Sequence, residues 1–323
     1  MRVLPTTKKI GRREDLRQLY NLKQFEKQCA DFVLLEGGFG QFYKWEQFNL
    51  SQAEIDTILS GKLVRLEFEE PNKFCLPDDT DSYDRYFDKI FTICPYTATW
   101  LNNRQHTNKR IPICYPVNED YVPRKVKKLY DIIYTGTIVS KSLLEDIQDM
   151  SHYNYRFISQ KKHPLVTNFD VSYADKLKLL AQSKVALIHN LLFPRLDHMF
   201  FIWITKEWYN NEAFRLVPPW YKFWDILNNK NVVIPQVKNR LFESALCRTL
   251  ILCRKDPFNI VENFFEPERE FVYYEQGKLD EKLKEILGNY KKYQPIIERA
   301  YKKAHANYTT RALVKNYLSK LYR

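Results

Sequence analysis

Apolar residues in this chain gather into short blocks separated by segments of helical period. "DFVLLE", "KLVRLEF", "KIFTIC" and "RIPICYPV" read as buried strands in the first third. Between them lie stretches of helical period, such as "RREDLRQLYNLKQFEKQC", where Leu16, Tyr20, Leu22 and Phe25 stand at mostly helical spacing. "SQAEIDTILSG" adds a capping box, with Ser51 as N-cap, Glu54 three residues on and Gly61 as the stop. The same alternation restarts at residue 130: strand "YDIIYTG", helix "SKSLLEDIQDM", strand "NYRFIS", helix "SYADKLKLLAQS", strand "KVALIHN". After an aromatic-rich insertion come the helix "NRLFESALC", the strands "TLILC" and "EFVYYE", and helices to the C-terminus. Continuous apolar strands alternating with helices predict open, parallel α/β sheets covered on both faces.

The stretch "PVNEDYVPRKVKKLY", residues 116–130, breaks the pattern with two prolines and a basic cluster and is taken as a linker. Two doubly wound halves follow, 1–120 and 121–323, the second carrying an insertion at about 191–230. Ligands of such sheets bind at the carboxyl ends of the strands, so functional residues are sought there, in a cleft between the halves.

Composition narrows the class. Apolar residues make up 45% and charged residues 28%, as in a globular chain. No run approaches the ~18 apolar residues of a membrane span, the longest being "MFFIWI", and no secretory signal is legible, so a cytoplasmic protein is expected. The six cysteines form no C-x-x-C pair and several lie in apolar runs, the pattern of reduced, buried thiols. A net charge of +12 favours an anionic partner: a phosphate-bearing small molecule, nucleic acid or an anionic membrane surface.

With only eight glycines in the chain, their positions carry information. Gly136 ends a strand ahead of a helix whose start carries Thr137, Ser140 and Lys141, which reads either as a phosphate-binding turn or as an ordinary N-capped one. Gly37, Gly38 and Gly40 follow Glu36 at another strand end, and Glu69 lies just past the next. Ser159 and Gln160, and His189 and Asn190, close two further strands. "NRLFESALC" places Lys238, Arg240 and Glu243 around a helix start; Glu243 is either a first-turn carboxylate offsetting the helix dipole or a ligand-binding residue. Asp79-Thr80-Asp81 matches a D-x-D metal pattern but follows a proline-bearing loop and precedes a helix, so it is read as an N-cap, and no metal site is expected. Trp203, Trp208, Trp220 and Trp224 sit among basic residues in the insertion, which fits a substrate lid, a peripheral membrane contact or a packed surface.

The run "RLFESALCRT … FFEPEREFVYY … AHANYTTRAL" resembles, in order and spacing, the C-terminal signature of the group 1 glycosyltransferases, especially the spore-maturation (CgeB-like) branch. The resemblance covers about residues 130–318, since "YDIIYTG" and "SYADKLKLLAQSKVALIHN" also match its layout. It implies a GT-B fold of two facing Rossmann-like domains, the first for the acceptor and the second for a nucleotide-sugar donor, UDP- or GDP-linked. It implies no further cofactor and a glycan, glycoprotein or lipid-linked acceptor. By the same resemblance Glu243 matches the ribose-binding glutamate, Arg240 the basic residue near the diphosphate, and Gly136 with Thr137 the phosphate-facing turn. Lys141 and Lys238 then offset charge on the leaving diphosphate, Ser159, Gln160, His189 and Asn190 touch the donor, and Glu36 or Glu69 is the candidate base.

Three departures stand out. Arg248 occupies the glycine place of A-C-G-T, Arg269 is read at the glycine place of P-G-x-E, and Pro235 stands where many group 1 enzymes carry an earlier glutamate. They keep open a catalytically silent GT-B protein that binds carbohydrate or a partner. A basic nucleic-acid-binding protein fits the charge but carries none of the recognition motifs and leaves the α/β alternation unexplained.

Overall fold

The structure is a computed structural model of the 323-residue chain. It describes strand backbones at residues 3–5, 32–37, 63–67, 191–192 and 234–235 and, apart from scattered positions, residues 87–190 and 237–317. The chain divides into two compact units, one built mainly on Met1–Cys114 and rejoined by Leu313–Arg323, the other on Tyr115–Leu196 and Pro218–Ala312.

The first unit contains a five-stranded parallel sheet in sequence order: β1 (Val3–Pro5), β2 (Phe32–Gly37), β3 (Leu63–Glu67), β4 (Lys89–Thr92) and β5 (Arg110–Pro112). Four of these are the strands expected from the apolar blocks; β1 was not, because "VLP" is too short to show a period. In β4 every residue but the first is buried, and Phe91 stacks edge-on against Tyr317, 5.9 Å between ring centres. The helices expected at 12–29 and 51–61 lie outside the described residues.

The second unit is a six-stranded parallel sheet made of β6 (Tyr130–Thr135), β7 (Tyr155–Ser159), β8 (Asn168–Phe169), β9 (Ser183–Ile188), β12 (Leu250–Arg254) and β13 (Val272–Tyr274). Two short strands, β10 (Leu191–Leu192) and β11 (Ile234–Pro235), pair antiparallel apart from it. Across the sheet the order is β13-β12-β9-β6-β7-β8. Numbered by appearance this is 3-2-1-4-5-6, the order of a dinucleotide-binding sheet, and the winding reverses between β6 and β9.

Six helices are described: α1 (Lys141–Met150), α2 (Tyr173–Ala181), α3 (Asn239–Leu246), α4 (Leu279–Gly288), α5 (Gln294–Asn307) and α6 (Thr310–Asn316). On one face of the sheet Leu143, Ile147 and Met150 of α1 and Leu279, Leu283 and Ile286 of α4 bury Ile132, Tyr134, Val185 and Leu187. Alternation turns Ile133, Ala186, Ile251 and Cys253 to the other side, also fully buried, where Phe242 of α3 packs on Phe264, Phe265 and Tyr308. Burial on both faces is why these strands read as unbroken apolar runs rather than alternating ones. Segment 116–130 is irregular but anchored: Val117 exchanges backbone hydrogen bonds with Tyr308 and Thr310, and Glu119 pairs with Arg311. Lys128, at its end, donates to the carbonyls of Ser183 and Arg248 and so ties the amino ends of β9 and β12; burial holds its ammonium at about 8.

A left-handed backbone remains at both turns. Arg248 keeps a left-handed backbone, φ 50°, so the turn of the family motif survives without its glycine. Its guanidinium lies 3.5 Å from the centre of the Tyr301 ring, and Nε is 3.2 Å from Glu298. In "PERE" the left-handed residue is Glu268, φ 57°, and not Arg269 as expected; Glu268 is the residue directly after the proline. The turn is closed from within, the Glu270 carboxylate accepting the Glu266 N–H at 2.8 Å and Lys303 Nζ at 2.7 Å.

A side chain in the left-handed region costs about 1–2 kcal/mol. Arg248→Gly sheds that cost whereas Arg248→Ala keeps it, and both lose the Tyr301 stack. Thermal unfolding is therefore expected to show Arg248→Gly more stable than Arg248→Ala by about 1 kcal/mol; equal or reversed stabilities would mean that the left-handed backbone is not held at this turn.

Candidate functional site

The reversal point of the second sheet puts the carboxyl ends of β6 and β9 side by side. β6 ends in Thr135, followed by Gly136 with φ 142°, a conformation that side chains rarely adopt. The turn is fixed from below: Gly136 N–H donates to the Ile158 carbonyl at 2.9 Å and the Tyr134 hydroxyl to the Thr137 carbonyl at 3.1 Å. Over it lies the Arg240 guanidinium, 4.9 Å from the Tyr134 ring centre. A Cβ on residue 136 would stand 2.7 Å from Arg240 Nη1, so only glycine leaves room for the arginine where it is.

Arg240 comes from the first turn of α3, whose N-cap is Lys238. Lysine has no oxygen to cap with, and none of its side-chain atoms does so. Burial and the neighbouring Arg240 charge hold the Lys238 ammonium down at about 7. A helix N-terminus, a guanidinium and a lysine thus converge on one glycine turn, with no acidic side chain in that first turn.

Glu243 lies one turn further on, in the interior of α3 and fully buried. It is not in the first turn and does not serve as the dipole's counter-charge. Its Oε1 takes Lys176 Nζ of α2 at 2.6 Å and Asn239 Nδ2 at 2.8 Å, while Oε2 is buried without a partner. A lone buried carboxylate is too costly to keep; the lysine makes this one tolerable and leaves one oxygen available.

At the end of β9, His189 and Asn190 are both buried. His189 Nε2 sits 3.0 Å from Asp146 Oδ2 and 3.2 Å from Arg254 Nη1, in a group completed by Tyr274, Ser142 and Gln276. Burial lowers the pKa of His189, against the raising effect of the Asp146 hydrogen bond and with the help of Arg254. Among the described residues, buried polar atoms without a partner include His189 Nδ1, Asn190 Oδ1, Asn239 Oδ1, Arg240 Nη1 and Glu243 Oε2. Leaving such an atom unpaired costs about 1–3 kcal/mol, so five on the β9 end and one helix start are polar atoms open to a ligand or to water.

The remaining expected residues are placed as follows. Thr137 is half-buried on the loop after β6 rather than in a helix, and Lys141 is the first residue of α1, its side chain outside the described residues. Ser159 is buried and its hydroxyl accepts the Lys161 N–H at 3.0 Å, which occupies it in a turn; Gln160 is exposed. Glu36 is the penultimate residue of β2, in register with Leu66. Glu69, Asp79-Thr80-Asp81 and the four insertion tryptophans lie outside the described residues. Sequence reasoning missed Asp146, Lys176, Arg254 and Tyr274. The only signal was polar residues in otherwise apolar helix and strand ends, "LLEDI" and "LILCR". No group of three or more metal-ligating side chains occurs among the described residues, and no described helix is long and apolar enough to cross a membrane.

Comparisons with known proteins bear on this geometry. No curated protein matches the sequence. Among solved structures, Anabaena HepE in complex with UDP is similar over 99% of both chains, with 10% identity and a TM-score of 0.55. Sucrose-phosphate synthase from Thermosynechococcus elongatus is similar over 91% of this chain and 73% of its own, with 8% identity and a TM-score of 0.54. S. aureus TarM, solved with fondaparinux, alpha-GlcNAc-glycerol and UDP, is similar over 96% of this chain at 9% identity and a TM-score of 0.51; the chain spans 58% of TarM, less than two thirds of its length. At such identities the likeness is one of fold, and the fold class is GT-B, with two Rossmann-like units of parallel sheet. Residues 141–319, more than half of the chain and including α3 with its Arg240 and Glu243, match the family described as glycosyl transferase-like, and the chain belongs to that family.

Proposed function

We propose that this chain is a glycosyltransferase of the CgeB-like type that moves a sugar from a nucleotide-sugar donor to a glycan, glycoprotein or lipid-linked acceptor, without a divalent metal. The observation that carries the reading is the Arg240 guanidinium, with Nη1 unpartnered, held over the Gly136 turn at the start of α3. That arrangement suits a diphosphate. Arg240, Lys238 and the first N–H groups of α3 donate to the phosphate oxygens beside the Gly136-Thr137 turn, and Lys141, at the start of α1, is taken as a further cation. As the glycosidic bond breaks, negative charge gathers on the departing diphosphate, and fixed donors aimed at it lower the barrier without reorganising. Lys238, held at about 7 when alone with Arg240, gains its full charge beside a phosphate dianion.

Glu243 Oε2 accepts from a ribose hydroxyl in this reading, and Lys176 keeps the carboxylate turned for it. Ser159 and Gln160 lie toward the base, and His189 and Asn190 contact the donor. Glu36 or Glu69 takes the proton of the acceptor hydroxyl. UDP is preferred over GDP as the carrier because HepE and TarM were both solved with UDP. The enzyme works in the cytoplasm, with the aromatic and basic insertion available for peripheral membrane contact.

Two measurements test this. In a thermal-shift series with UDP, GDP, CDP and ADP in the presence of a chelator, UDP is expected to raise the melting temperature most; a flat response to all four would overturn the proposal. The roles of the two key residues separate by comparing UDP with uridine. Arg240→Ala is expected to weaken UDP about 10- to 100-fold, the worth of a charged hydrogen bond, while leaving uridine binding unchanged. Glu243→Ala is expected to weaken both ligands. Parallel losses in the two variants would contradict the division into phosphate and ribose contacts.

A further inference from the structure

His189 and Asn190 are buried, and each keeps one polar atom free: Nδ1 of the histidine and Oδ1 of the asparagine. Their other atoms are committed. His189 Nε2 is 3.0 Å from Asp146 Oδ2, an oxygen that also accepts the Tyr274 hydroxyl at 2.9 Å. Arg254 Nη1 lies 3.2 Å from Nε2 but spends a hydrogen on Ser142 Oγ at 2.8 Å, and Nη2 donates to Gln276 Oε1. A carboxylate oxygen only accepts, so a bare Nε2 at that distance would set lone pair against lone pair in a buried site; a proton on Nε2 makes a charge-assisted bond instead. Nδ1 is then the bare nitrogen. Burial, with the Arg254 and Arg240 charges nearby, keeps the ring neutral against the pull of Asp146, so Nδ1 stays an acceptor.

Asn190, the next residue, turns to the other face of the sheet, toward Cys253. The Cys253 thiol donates to the Arg254 carbonyl at 3.3 Å, which leaves its sulfur to accept Asn190 Nδ2 at 3.6 Å and turns the amide so that Oδ1 is the open atom. The bare His189 Nδ1 calls for a hydroxyl or amide hydrogen and rejects phosphate oxygens, which only accept. The imidazole is also close to the phosphate-directed group, since the Arg240 charge acts on it. Leu191, two residues on, pairs with Pro235, three residues before Lys238, so the β9 end is joined in register to the segment that delivers α3.

We propose that His189 Nδ1 reads a hydroxyl group of the sugar being transferred, and that Asp146 is a positioning residue fixing the imidazole tautomer. This deepens the function proposed above and rests on a nucleotide sugar being the donor. Tyr274 and Arg254 hold Asp146 from β13 and β12, so the tautomer is set by the strand ends of the same sheet that bears the donor.

The test pairs nitrogen NMR of the histidine rings with binding of UDP, UDP-glucose, UDP-galactose and UDP-N-acetylglucosamine to the wild type, His189→Ala and Asp146→Asn. The wild-type ring is expected as the Nε2–H tautomer, with its Nδ1 resonance moved by a UDP-hexose and not by UDP. At least one UDP-hexose should bind more tightly than UDP. Each variant should lose about three- to tenfold of that preference while its UDP affinity stays within about twofold, and Asp146→Asn should also shift the tautomer. An Nδ1–H tautomer in the wild type, equal losses for UDP and UDP-hexose, or no UDP-hexose tighter than UDP overturns the sugar contact. A wild type that binds no UDP sinks the donor reading instead, and the tautomer still reports on Asp146 by itself. Where a variant fails to fold, the wild-type NMR titration alone decides.

Discussion

One close approach organises the donor-side unit: the Arg240 guanidinium lying against a residue with no Cβ. Gly136 takes a backbone angle that suits glycine, and the space it leaves is filled by an arginine from a helix about a hundred residues later in the chain. For that to happen β6 and α3 must meet, which the 3-2-1-4-5-6 strand order achieves by reversing its winding beside β6. The Tyr134 ring under the arginine and its hydroxyl on the Thr137 carbonyl hold both partners of the contact. A positive helix end, a guanidinium and a half-buried turn of backbone are thereby brought together before any ligand arrives, and such preorganisation is what makes charge stabilisation effective.

Around this contact the fold buries more polarity than its own hydrogen bonds satisfy. Glu243 is neutralised by Lys176 but keeps an oxygen open; His189 is held by Asp146 but keeps a nitrogen open. Each half-satisfied group costs stability unless a ligand or an ordered water meets it. Acceptors and donors are also sorted. Cationic groups gather at the start of α3, and bare acceptors lie on Glu243 and at the β9 end, as a molecule bearing both phosphates and hydroxyls requires.

Much of the framework was legible because fully buried parallel strands leave continuous apolar blocks: β2 to β7, β9, β12 and β13 all match blocks read from the sequence to within one residue. The short strands β1, β8, β10 and β11 were not, since two or three residues carry no period. Glu243 shows what local reading cannot supply. Three residues after Arg240 it looks like a dipole partner, and only the start of α3 at Asn239 moves it into the second turn and the interior. Asp146 and Tyr274 were invisible because they act across the sheet from helix and strand positions whose neighbours are core residues. Glu268 rather than Arg269 takes the left-handed turn because the chain reverses directly after Pro267.

The Gly136 contact can be examined without touching any charged group. Alanine at 136 would place a methyl in the volume of the guanidinium, which sits on a flexible side chain and can swing away, so the protein should fold with a lowered melting temperature. Titrating Gly136→Ala with UDP by calorimetry is the direct measurement. If Arg240 over a bare turn is the diphosphate site, the affinity falls by about tenfold or more; a folded Gly136→Ala protein that binds UDP as tightly as the wild type would contradict it.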